Sequence, residues 1–169
     1  MRTSLRLAAV GVALAAASFA TSASAAASAT ATATAEVLSS LTLTADSALD
    51  FGQIAPNTGG TVTVHADSTV AQTGGLVWTG TRAPAGFTVT GSNGATVVLT
   101  LPSAAVNLTR SGGSDTMTLS GFTASPTGAF QLGSTTGSAT FNVGGTLAVA
   151  ANQVAGLYSG TFNVSVEYQ

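Results

Sequence analysis

Cysteine is absent from these 169 residues, and charge is nearly so: 6% of the residues are charged, against about 25% in ordinary soluble domains. Without cysteine there is no disulfide, no thiolate metal site and no thiol chemistry. Histidine occurs once, at His65, and no Gly-x-Ser-x-Gly turn is present, so a hydrolytic nucleophile has no obvious base. His65 and Asp67 are two apart and would share a strand face, but a lone histidine beside a turn reads first as a surface residue. Zinc needs three or four His, Cys or carboxylate ligands, which the chain does not supply in any usual set. Asp46 and Asp50 could join main-chain carbonyls around calcium. Asp46-Ser47 and Asp67-Ser68 read equally well as turn formers whose side chains bond nearby backbone. The expectation is a non-catalytic protein with no cofactor.

The first 25 residues carry two of the four arginines and no acidic residue. Arg2 and Arg6 precede an apolar stretch over 7–19, and Ala23-Ser24-Ala25 follows, the order of a cleaved secretory signal. The stretch is shorter than the roughly 20 apolar residues a membrane-spanning helix needs, and nothing later qualifies. The mature chain is expected to begin near Ala26 and to leave the cytoplasm through the inner membrane. Beyond the signal only Arg82 and Arg110 are basic, against Glu36, Asp46, Asp50, Asp67, Asp115 and Glu167. Nucleic-acid binding has no electrostatic footing. Thr, Ser, Asn and Gly are left to cover the surface.

Short runs of alternating apolar and polar residues fill the rest. They lie over 41–44, 49–54, 61–66, 76–79, 87–90, 96–101, 106–109, 116–122, 139–143, 146–149 and 158–168, the period of half-buried strands. Between them stand Pro56-Asn57-Thr58-Gly59-Gly60, Gly74-Gly75, Gly91-Ser92-Asn93-Gly94 and Gly112-Gly113, which suit tight turns. Gly144-Gly145 joins two runs directly and predicts a two-residue hairpin. No window after the signal has helical periodicity. Regular short strands without helices predict one all-β domain over 37–169, an antiparallel immunoglobulin-like β-sandwich. Trp78, the sole tryptophan, reads as core between two sheets.

The two ends of this domain differ from its middle. Over 26–36, Ala27, Ala29, Ala31, Ala33 and Ala35 alternate with Ser28 and threonines, and Val37, Leu41 and Leu43 continue the same parity. Threonine at every second position favours an extended arm over a helix. At the other end Phe162, Val164, Val166 and Tyr168 share one face, and Gly156 stands fourteenth from the end. The run stops one residue short of the last, where an immunoglobulin-like sandwich usually continues. An open groove beside the C-terminal strand is therefore expected.

That ending resembles the subunits of chaperone–usher pili, whose last strand has a penultimate Tyr, alternating apolar residues and a Gly at the same distance. Leu49-Asp50-Phe51-Gly52, Val143-Gly144-Gly145-Thr146-Leu147 and Tyr158-Ser159-Gly160-Thr161-Phe162 also resemble a proteobacterial family of secreted, pilin-like domains of unknown function. The resemblance implies head-to-tail assembly by donor-strand exchange into a fimbria at the cell surface. Ala27, Ala29, Ala31, Ala33, Ala35 and Val37 would form the donor arm. Gly156, Phe162, Val164, Val166 and Tyr168 would line the acceptor edge, which a periplasmic chaperone occupies before identical or related subunits do. Pilin arms carry larger apolar residues than these alanines. Two alternatives stand beside this reading: an arm that completes its own sandwich, giving a self-contained secreted or cell-surface binding module of adhesin type, and an arm that is only a linker.

Overall fold

The computed structural model describes residues 26–169, so the signal-peptide expectation for 1–25 lies outside the described residues. One compact unit runs Glu36–Gln169. Residues 26–35, taken by themselves, have no ladder and expose every side chain. No helix among the described residues is long and apolar enough to cross a membrane.

The compact unit is all-β and antiparallel, built from β1 (Thr42–Ser47), β2 (Gln53–Val64), β3 (Val70–Thr79), β4 (Ala85–Thr90), β5 (Thr96–Thr100), β6 (Val106–Arg110), β7 (Thr116–Ser125), β8 (Ala129–Gln131), β9 (Ser138–Val149), β10 (Tyr158–Ser159) and β11 (Ser165–Tyr168). The larger sheet runs β1-β4-β9-β7-β6-β10, with the β2–β3 hairpin joined to β9 through β2. A smaller sheet, β11-β5-β8, completes a β-sandwich-like fold. β9 organises the larger sheet. Its residues 138–143 pair with β4 and its residues 145–149 pair with β2, while β7 pairs along the opposite edge. Two different neighbours in series on one edge curl the sheet around its contents.

Three expected turns are not turns. Gly144-Gly145 lies inside β9, which is continuous over twelve residues. The glycines serve close approach instead, since a Cβ on Gly144 would land on the backbone of Val64 and His65. The stretch 56–60 is an irregularity within β2, where pairing jumps from Pro56↔Leu76 to Gly60↔Gly74. Gly74 faces it from within β3 at φ +73°, and a Cβ there would strike the Gly59 carbonyl. Only glycine meets both demands. The real β2–β3 turn is His65 to Thr69, closed by His65 N–H to the Thr69 carbonyl at 2.8 Å.

Two apolar clusters fill the interior. One collects Ala85, Val89, Val97, Leu99, Ala124, Leu132, Phe141 and Val143 between the sheets. The other gathers Phe51, Val62, Val64, Leu76, Leu119, Leu147 and Val149 in the curl of the larger sheet. Leu49, Phe122 and Phe162 pack against both clusters. The side chains that join the two cores thus come from the segment after β1, from β7 and from the segment before β11.

Candidate functional site

The alternating run over 158–168 is two strands rather than one. Tyr158 and Ser159 pair with β6 in the larger sheet, and Ser165 to Tyr168 pair with β5 in the smaller sheet. The chain between them, 160–164, crosses from sheet to sheet with no ladder partner among the described residues. Its alternation persists, because Phe162 and Val164 still turn inward and pack on the core while Thr161 and Asn163 face solvent. Phe162 lies edge-on to Phe87, at 6.3 Å and 71°, and 5.0 Å from Phe122. Val166 and Tyr168 pack on the same cluster.

A groove of about 230 Å³ opens beside this crossing segment. One bank is Ala45 and Ser47 of β1 with Ala48 and Leu49, and the other is Gly160 to Phe162. Phe51, Ala85, Phe87, Leu108 and Leu119 also line it. β1 pairs only with β4 among the described residues, so its outer edge is open. An apolar channel therefore runs between two stretches of backbone with unpaired N–H and C=O groups, the arrangement that accepts an extended peptide.

Of the expected acceptor residues Phe162 lines this groove, and Gly156, Val164, Val166 and Tyr168 do not. Tyr168 Oη donates to the Ser39 carbonyl at 2.7 Å and accepts from Ser92 N–H at 2.8 Å. It ties the entry to β1, the β4–β5 connection and the last strand at one point. Gly91 makes room for it, since a Cβ there would overlap the Tyr168 hydroxyl. Gly156 is not in the C-terminal strand. It lies in the loop before β10 at φ +152°, where a Cβ would come 2.8 Å from the Arg110 side chain. Arg110 is itself fixed by Asp115, Nε to Oδ2 2.7 Å. Among the arm residues, Ala27, Ala29, Ala31, Ala33 and Ala35 are exposed, and Val37 is 93% exposed.

Sequence reading did not nominate the lining residues Ala45, Ala48, Leu49, Ala85, Phe87, Leu108 and Leu119. Ala45 had a signal, because it continues the inward parity of Leu41 and Leu43. The others come from strands far apart in sequence. Trp78 is a plain correction. It is 50% exposed, not core, and Arg82 stacks on its ring at 4.0 Å. Arg82 Nε donates to the Phe51 carbonyl at 3.1 Å, and burial lowers the guanidinium pKa from its usual range.

No group of three or more His, Cys, Asp or Glu side chains gathers among the described residues. Asp67 accepts from Thr69 Oγ1 at 2.6 Å and Thr69 N–H at 3.0 Å, closing the hairpin turn. These bonds hold its carboxyl below the ordinary aspartate value.

An all-β, β-sandwich-like domain with a groove beside the segment that leads into its last strand belongs to a class defined by fold and not by chemistry. The chain is a member of the family DUF4402, a domain of unknown function, which matches residues 41–168. Neither a curated protein nor a solved structure matches it.

Proposed function

We propose that this chain is a structural, pilin-like subunit that polymerises head to tail by donor-strand exchange and has no catalytic role. The observation that carries the reading is the groove between the open edge of β1 and the unpaired segment 160–164. The arm over 27–37 is the proposed occupant, supplied by a neighbouring copy. It is exposed and carries no ladder, and its alternate side chains share one sequence parity ending in Val37. Each alanine methyl contributes only about 0.8 kcal/mol on burial, so pairing of the arm with both flanking backbones supplies most of the affinity. A periplasmic chaperone would lend a strand to the same groove after export and before assembly. Donor and acceptor at opposite ends of one chain make a heterologous contact, which propagates as a filament.

Deletion of residues 26–36 tests this. The shortened chain is expected to be exported and to fold with its chaperone, and to form no polymers on unheated gels or in electron micrographs. Filaments from the deletion at wild-type levels would overturn the reading. A wild-type chain that is monomeric in cells expressing its native neighbours would leave the self-contained surface binding module.

A further inference from the structure

The second open edge of the fold is β3. Over residues 60–64 β2 is held between β3 and β9, but over 53–56 it pairs with β3 alone. The hairpin therefore runs past the sheet as a two-stranded ribbon, and the outer edge of β3 is unpaired along all ten residues among those described. Protein edges are normally blunted by charge, proline or a short length. β3 reads Val-Ala-Gln-Thr-Gly-Gly-Leu-Val-Trp-Thr and has none of these. Val70, Val77 and Trp78 are three of its exposed large apolar side chains, Val77 at 63%. Trp78 is pre-oriented by the Arg82 stack, so ordering it on contact costs little.

We propose that β3 is a self-association edge, on which a second copy of this chain pairs its own β3 antiparallel about a two-fold axis. Charge selects this occupant. Asp67 stands three residues before the strand and Arg82 three residues after it, with no charge between them. Antiparallel self-pairing brings Asp67 of one copy toward Arg82 of the other at both ends, whereas a parallel arrangement sets like charges together. Main-chain bonds join the copies, and Trp78 and Val77 bury apolar surface at each end. Such a contact is isologous and closes at two. It uses neither the arm nor the groove, and would join filaments side by side.

Sedimentation equilibrium of the chain lacking residues 26–36, which cannot polymerise through the arm, reads this directly. It is expected to show a monomer–dimer equilibrium, and the emission of the single tryptophan is expected to shift to shorter wavelength as dimer forms. Val77→Lys and Val70→Lys, at exposed positions whose fold is checked by circular dichroism, are each expected to weaken association by about tenfold or more. Asp67→Asn is expected to weaken it by less and to remove its sensitivity to salt. A deletion chain that stays monomeric to about 1 mM, a range that would admit even weak self-association, overturns the proposal. So does a dimer indifferent to both lysine substitutions.

Discussion

The Tyr168 hydroxyl donates a 2.7 Å hydrogen bond to the carbonyl of Ser39, 129 residues earlier in the chain. The same oxygen accepts from Ser92 N–H. One side chain of the last strand therefore sets where the chain enters β1, and β1 is a bank of the groove.

Tyr168→Phe retains the ring in the core and removes both bonds. A loss of about 1–2 kcal/mol is expected from two partly solvated hydrogen bonds, read as a lower denaturation midpoint. Amide exchange is expected to speed up first over 39–42. Unchanged protection there would show that the bond does not hold the entry to β1.

Phe162 is expected to be the costliest single truncation in the C-terminal segment. It touches both apolar clusters and meets two phenylalanine rings, Phe87 edge-on and Phe122 tilted. Phe162→Ala should cost about 2–4 kcal/mol, below the full range for buried phenylalanine because the ring is partly exposed. Val164→Ala, which meets one cluster only, should cost less. Equal effects would argue against a bridging role.

Strand content, the absence of helix among the described residues and the inward faces were legible in the sequence, because period two survives even where the ladder does not. Phe162 and Val164 show this: they turn inward on a segment with no sheet partner. Pairing was not legible. Gly144-Gly145 and Gly74-Gly75 signal turns by local chemistry, but here they answer to backbones brought close by tertiary contacts. Trp78 shares the face of buried Leu76, yet the ribbon outruns the sheet that would cover it. One bank of the groove was readable from Phe162 and its neighbours. The other bank was not, because β1 becomes an edge only through the strand order of the whole sheet.

Gly156→Ala tests whether glycine at this position serves the loop. At φ +152° and against the Arg110 stem, alanine meets backbone strain and a steric clash together, expected to cost about 1–3 kcal/mol. Pairing of β10 with β6 begins two residues later, at Tyr158↔Arg110, so loosening of the Tyr158 end should be the first change in hydrogen exchange. Arg110→Ala relieves the clash but not the φ, and should rescue Gly156→Ala only in part.

Asp67 predicts a small acid-side component of stability. Its carboxyl is held below the ordinary aspartate value in the fold, first by the Thr69 hydroxyl and then by the Thr69 N–H. A depressed folded pKa stabilises fully above the unfolded value, and the contribution disappears as pH falls through the folded value. Thr69→Val removes the hydroxyl bond, so it should lower the midpoint near neutral pH and flatten the decline below the ordinary carboxylate range. A parallel decline in both proteins would assign the acid sensitivity elsewhere.

The groove itself is best tested by filling its bank. Ala45 is an exposed residue of β1 that lines the groove, so Ala45→Arg adds bulk and charge to the channel while leaving the core packing of Leu41 and Leu43 alone. Stability should change by no more than about 0.5 kcal/mol, the usual range for surface positions. Uptake of a synthetic peptide covering residues 26–37 should be lost, because an inserted strand would have to bury the guanidinium without a partner. The same substitution should leave the β3 edge unaffected, since Ala45 lies on β1. If the peptide binds Ala45→Arg as it binds the wild type, the strand enters elsewhere and the groove is not the acceptor.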